Sequence, residues 1–174
     1  DWHTGLIPLL IDNSPVKGVK TLMTIHNIDY KGKFKNEIIR RVGIENFIFK
    51  EEKINFLEIG INTATKVSTV SPTYKEELKY EYFGKNLTYS LINRERDFYG
   101  VLNGISSSFD PARDKLIYQN YSFNSFDKKI ENTRFLQEKM GLEVNDDKFV
   151  IGMVTRIVEQ KGFDLILQSF DELL

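Results

Sequence analysis

The stretch FLEIGINTATKVSTVSPTYKEEL, residues 56–78, runs from a helical pattern through a short β-branched segment into a second helix start. Leu57, Ile61 and Ala64 stand four and three apart, which gives a helix one apolar stripe. With Ile54 the stripe extends back over FKEEKINFLEIGINTA, residues 49–64. KVSTV, residues 66–70, has the composition of a strand. Ser71 and Pro72 then open a helix, because proline lacks an N–H that the first turn leaves unpaired anyway. Helix, strand and helix in succession predict an α/β fold whose parallel sheet carries helices on both faces.

The alternation recurs on either side. KTLMTI, residues 20–25, reads as a strand, and HNIDYKGKF after it as a polar, glycine-containing loop. FYGVL, residues 98–102, reads as a strand handing over to Asn103 and Gly104. Residues 84–97 are polar and weakly patterned. From Ile105 to Lys129 the pattern gives way to a long irregular stretch, unusual inside one domain, so a domain seam is expected there. Helical spacing returns with Ile130, Thr133, Leu136 and Met140, and Gly141 is placed as the stop. DDKFVIGMV, residues 146–154, is predicted as a strand. The last helix is expected to bury Phe163, Ile166, Leu167, Phe170 and Leu174. These units read as parts of two Rossmann-like domains.

Composition narrows the functions. With 41% hydrophobic residues in a chain of 174, the protein is globular, and a net charge of -1 gives no global field for nucleic acid or an acidic membrane. No cysteine is present, which excludes disulfides and thiolate metal sites. No stretch resembles a leader or a membrane span, so a cytoplasmic location is expected. The chain opens on Asp1 without a methionine and closes inside a helical run, and it reads as a piece of a longer protein.

In open parallel sheets ligands gather outside the carboxyl ends of the strands. That rule singles out His26 with Asn27, Ser71, Asn103 with Gly104, and Arg156. In MVTRIVEQKGFDLI, residues 153–166, Arg156 can grip two phosphate oxygens while Lys161 supplies a mobile positive charge beside a helix start. Spacing alone fits better with a solvated corner whose cations pair with Glu159. His26, Asn27 and Tyr30 offer hydrogen-bonding groups beside a stacking face, which suits a polyhydroxylated ligand; a His26 that caps local carbonyls fits as well. His3, ahead of an apolar helical run, is placed to cap that helix and face an anion, and Trp2 to pack. His3 and His26 lack a third ligand at recognised spacing, so no metal is expected, and no cofactor-binding loop is present.

Five strings in order, DWHTG, TIHNIDYKGKF, FLEIGINTATKVSTVSPTYKEEL, GVLNGI and VTRIVEQKGFDLI, resemble the bacterial glycogen synthase and plant starch synthase family. The resemblance implies a retaining transferase of two Rossmann-like domains, with ADP-glucose as donor and an α-1,4-glucan as acceptor. It implies that Arg156 and Lys161 hold the donor diphosphate, and that His3 reaches the transferred glucose or its phosphate. Asn103, beside Gly104, would meet the donor sugar, while His26, Asn27 and Tyr30 match the family's loop after the first strand here. Residues 1–112 would then be the later part of the acceptor-side domain, 113–128 the connection, and 129–174 the start of the nucleotide-sugar domain. A related transferase with another donor, or a non-catalytic glucan- or phosphate-binding module, are the alternatives. The family's glycine-rich KTGGL loop and its paired glutamates do not occur in this sequence. The chain by itself is therefore expected to transfer no label from radiolabelled ADP-glucose to glycogen; incorporation into polymer would refute this.

Overall fold

The structure is a computed structural model and describes residues 1–43 and 52–173. In chain order the elements are α1 (Ile7–Asp12), β1 (Leu22–Ile25), β2 (Lys33–Lys35), α2 (Ile38–Arg41), β3 (Lys53–Asn55), α3 (Phe56–Thr63), β4 (Lys66–Thr69), α4 (Pro72–Glu77), α5 (Glu81–Gly84), α6 (Thr88–Asn93), β5 (Phe98–Gly100), α7 (Lys129–Lys139), α8 (Phe163–Gln168) and α9 (Phe170–Leu173). Short 3-10 turns join several of them. The chain divides into two compact units, Asp1–Gly104 and Ile105–Leu174.

The first unit is built on a parallel sheet of order β1-β4-β5. Leu22 to Ile25 pair with Lys66 to Thr69, and Val67 to Thr69 pair with Phe98 to Gly100. In the central strand, β4, Val67, Ser68 and Thr69 are all buried, as expected of a strand covered on both faces. Its hydroxyls are matched across the sheet: Ser68 Oγ lies 2.9 Å from Thr24 Oγ1, and Thr69 Oγ1 donates to the Ile25 carbonyl at 2.9 Å. Around the sheet, Met23, Ile25, Leu57, Ile61, Val67, Leu78, Leu87, Leu91 and Phe98 form one apolar core. Each such fully buried side chain contributes about 1.5–3 kcal/mol. A second cluster of Leu6, Leu9, Ile54 and Phe56 lies under α1.

The helix expected over residues 49–64 begins only at Phe56, and its first three positions lie outside the described residues. Lys53–Asn55 instead pairs antiparallel with β2, so Ile54 belongs to a strand and to the second cluster. Asn55 then starts α3, its side chain accepting from the Glu58 amide at 3.2 Å. Arg94 closes the other end, donating to the carbonyls of Asn62, Ala64 and Thr65. Ser71 caps α4 through the Tyr74 amide at 2.9 Å, as its place before Pro72 leads one to expect. The weakly patterned segment hides α6, which buries only Leu91 and Ser90.

The second unit is organised differently. The segment predicted as a strand at 146–154 has no strand character, and Phe149, Ile151, Met153 and Val154 are exposed. A strand is defined by its ladder, and this unit supplies no second strand among the described residues. The apolar stripe of α7 is not buried either; Leu136 and Met140 are exposed, and Gln137 is the buried side chain, bonded to Asn145 in both directions. Leu167 and Phe170 are likewise exposed, and Leu174 lies outside the described residues. Polar clamps hold the unit together: Asn132 exchanges hydrogen bonds with the Gln119 backbone, and Arg134 forks onto Asp146. Gly141, at φ +69°, ends α7 as its position predicts.

The tightest approach in the first unit is at Gly5, where a Cβ would stand 2.1 Å from the Phe56 carbonyl oxygen. Gly60, inside α3, faces Gly5 in turn, and a Cβ on it would lie 3.0 Å from the Gly5 Cα. Gly5→Ala is expected to destabilise the chain by about 1–3 kcal/mol, read as a lower urea midpoint. An unchanged midpoint would contradict the packing described.

Candidate functional site

The carboxyl ends of β1, β4 and β5 present the candidate residues of the first unit. His26 and Asn27 follow Ile25 directly, and Asn103 with Gly104 follows Gly100 by way of Val101, whose amide extends the ladder to the Thr69 carbonyl at 2.8 Å. Asn103 and Gly104 are exposed, and a Cβ on Gly104 would meet open space.

The loop from His26 to Gly32 is tied down at several points. The Asp1 carboxylate accepts the His26 amide at 2.8 Å and the Asn27 amide at 3.4 Å. Asn27 Oδ1 accepts the Asp29 amide at 3.0 Å, a turn that asparagine forms with its own backbone. Lys85 pairs with Asp29 at 2.7 Å, and Lys31 Nζ donates to the Lys85 carbonyl. Burial lowers the Lys31 ammonium from its ordinary pKa. At the far end the carbonyls of Lys31 and Gly32 receive the amides of Leu57 and Phe56, which docks the loop on the start of α3. Tyr74 packs against the core below, hydrogen-bonded to the Ile28 backbone, and burial pushes its phenol up. With the backbone held in this way, His26 and Tyr30 stand exposed and Asn27 half-buried.

His3 sits in a 3-10 turn, Trp2–Thr4, rather than at the start of α1. The cap position of α1 is Leu6, without a side-chain bond, so His3 does not cap that helix as the sequence led us to expect. The reason is Gly5 and Leu6, which pack against α3 and set the turn off from the helix. The exposed His3 ring stacks on Trp2 at 3.9 Å, and Trp2 packs against both apolar clusters. Gly32, at φ +61°, leaves room for that indole: a Cβ would come within 2.5 Å of it.

In the second unit Arg156 and Lys161 share one turn. Arg156 follows a segment with no strand pairing among the described residues. Its carbonyl receives the Val158 amide, and a 3-10 turn, Glu159–Lys161, leads to Gly162 at φ +69°, the residue before α8. Both cations are exposed, and no carboxylate among the described residues lies within ion-pair distance of either, so the pairing with Glu159 is not formed. A cavity of about 410 Å³ opens beside the turn, lined by Ile157, Val158, Glu159, Phe163 and Asp164.

Asp1, Asp29, Lys85 and Tyr74 support the first unit's site without having been singled out in the sequence. Asp1 stands two residues before His3 in DWHTG, but its partners are 25 and 26 positions away, beyond any local pattern. No group of acidic or histidine residues suited to a metal ion occurs among the described residues, and no described helix is long and apolar enough to cross a membrane.

Residues 1–93 match the starch synthase catalytic domain family. The chain is 41% identical to a glycogen synthase of Clostridium novyi (strain NT), covering 100% of this chain and 39% of that protein. It is 42% identical to a glycogen synthase of Kosmotoga olearia, with 100% and 38% covered. Its fold superposes on the catalytic domain of starch synthase IV from Arabidopsis thaliana, solved bound to ADP and acarbose, with a TM-score of 0.84 and 26% identity over 99% of this chain and 38% of that one. The chain thus spans under two fifths of the length of these relatives.

The lone tryptophan reports on the site's packing. Gly32→Ala is expected to displace Trp2 and shift its emission to the red; an unchanged spectrum would mean that Gly32 does not set the indole's place.

Proposed function

This chain belongs to the starch synthase catalytic domain family, and from that premise we propose that it is an internal part of a glycogen or starch synthase. The whole protein transfers glucose from ADP-glucose to the non-reducing end of an α-1,4-glucan with retention of configuration. In this reading residues 1–112 belong to the acceptor-side domain, 113–128 connect, and 129–174 begin the nucleotide-sugar domain.

The observation that carries the proposal is the Arg156–Lys161 turn, which holds two exposed cations with no carboxylate among the described residues paired to them. A diphosphate leaving group is the complementary charge. As the bond between the glucose anomeric carbon and the phosphate oxygen breaks, negative charge gathers on the diphosphate. A guanidinium that grips two oxygens and a mobile ammonium beside it offset that charge. The acceptor hydroxyl attacks on the face that ADP leaves. His3, stacked on Trp2 and so restricted in orientation, reaches the transferred glucose or its phosphate. Asn103 with Gly104 meets the donor sugar, and the tied-down loop offers His26, Asn27 and Tyr30 to sugar hydroxyls. Catalysis then consists of positioning and charge stabilisation.

In the whole enzyme, Arg156→Ala and Lys161→Ala are each expected to lower kcat by about 100- to 1,000-fold, measured as glucose transferred from ADP-glucose to glycogen. Unchanged turnover in both variants would overturn the diphosphate assignment.

A further inference from the structure

The Asp1 carboxylate takes no part in the chemistry given to His3, Arg156 and Lys161, yet it joins two separate pieces of the site. Its Oδ1 accepts the amides of His26 and Asn27, the first residues beyond β1. Its carbonyl accepts the Thr4 amide at 3.1 Å, which closes the turn that carries His3. We infer that Asp1 is a positioning residue: by holding the His26 loop and the His3 turn to the same strand end, it sets the two histidines in register.

The chemistry favours such a role. A carboxylate accepting backbone amides makes a shorter and stronger bond than a neutral acceptor. The loop's other ties, through Asp29, Lys31 and Lys85, act at its middle and far end. Asp1 is the acceptor at its start. Asp1 is also only half-buried and outside both apolar clusters, so its removal opens no cavity. Loss of the carboxylate should loosen geometry without unfolding the unit. A misplacement of about 1 Å costs on the order of a hundredfold in rate.

The rate readout rests on the transferase reading above, whereas the structural readout does not. In the whole protein, amide hydrogen exchange at His26, followed by NMR, should quicken about tenfold or more in Asp1→Ala. Asp1→Asn, which keeps an acceptor oxygen in place, should restore most of the protection. In the whole enzyme, Asp1→Ala should lower kcat about tenfold to a hundredfold at an unchanged Tm and with little change in KM for ADP-glucose, and Asp1→Asn should recover most of that loss. Unchanged His26 exchange in Asp1→Ala would overturn the inference, as would unchanged kcat, a loss that tracks a fall in Tm, or an asparagine variant as slow as the alanine one. A wild-type enzyme that transfers no glucose would instead defeat the functional proposal, and the exchange measurement would still decide the role of Asp1.

Discussion

β4 is the strand on which the first unit depends. Because it runs between β1 and β5 and is covered on both faces, everything it carries inward must be apolar or fully hydrogen-bonded. Val67 meets the first condition, and Ser68 and Thr69 meet the second through Thr24 and the Ile25 carbonyl. The Thr69 bond lies at the carboxyl end of the sheet, one residue before the His26 loop. The same contact that satisfies a buried hydroxyl therefore also steadies the strand end from which the candidate residues project.

Around that end the first unit separates paired groups from exposed ones. Asp1, Asp29, Lys31 and Lys85 spend their polar groups on backbone and on one another, while His3, His26 and Tyr30 remain exposed. In the function proposed above, a loop held this rigidly loses little entropy when it binds. The second unit holds itself by polar clamps such as Arg134 with Asp146, while Arg156 and Lys161 remain exposed.

Much of the fold was legible in the residues. KTLMTI, KVSTV and FYGVL mark the three parallel strands because β-branched and aromatic residues recur there between turn signals, and Ser71-Pro72 marks a helix start by its own chemistry. Local pattern went astray where a partner decides the outcome. Lys53–Asn55 shares helical spacing with the residues of α3, yet it pairs with Lys33–Lys35, some twenty residues earlier. Residues 146–154 have strand composition but no neighbouring strand among the described residues. His3 stands where a cap would be useful, but Gly5 must lie against α3, and the helix begins beyond it.

The sequence by itself determined the alternation of strands and helices, the strand ends where polar residues collect, and the ordered motifs that mark the family. Tertiary structure alone decided that Asp1 binds the start of the His26 loop, that Trp2 fills the space left by Gly32, and that Arg156 and Lys161 go without a carboxylate partner among the described residues. The physical reason is range. Periodicity, capping and turn chemistry act over a few residues, whereas these contacts join positions tens of residues apart, or leave groups unjoined, and exist only once the chain has folded.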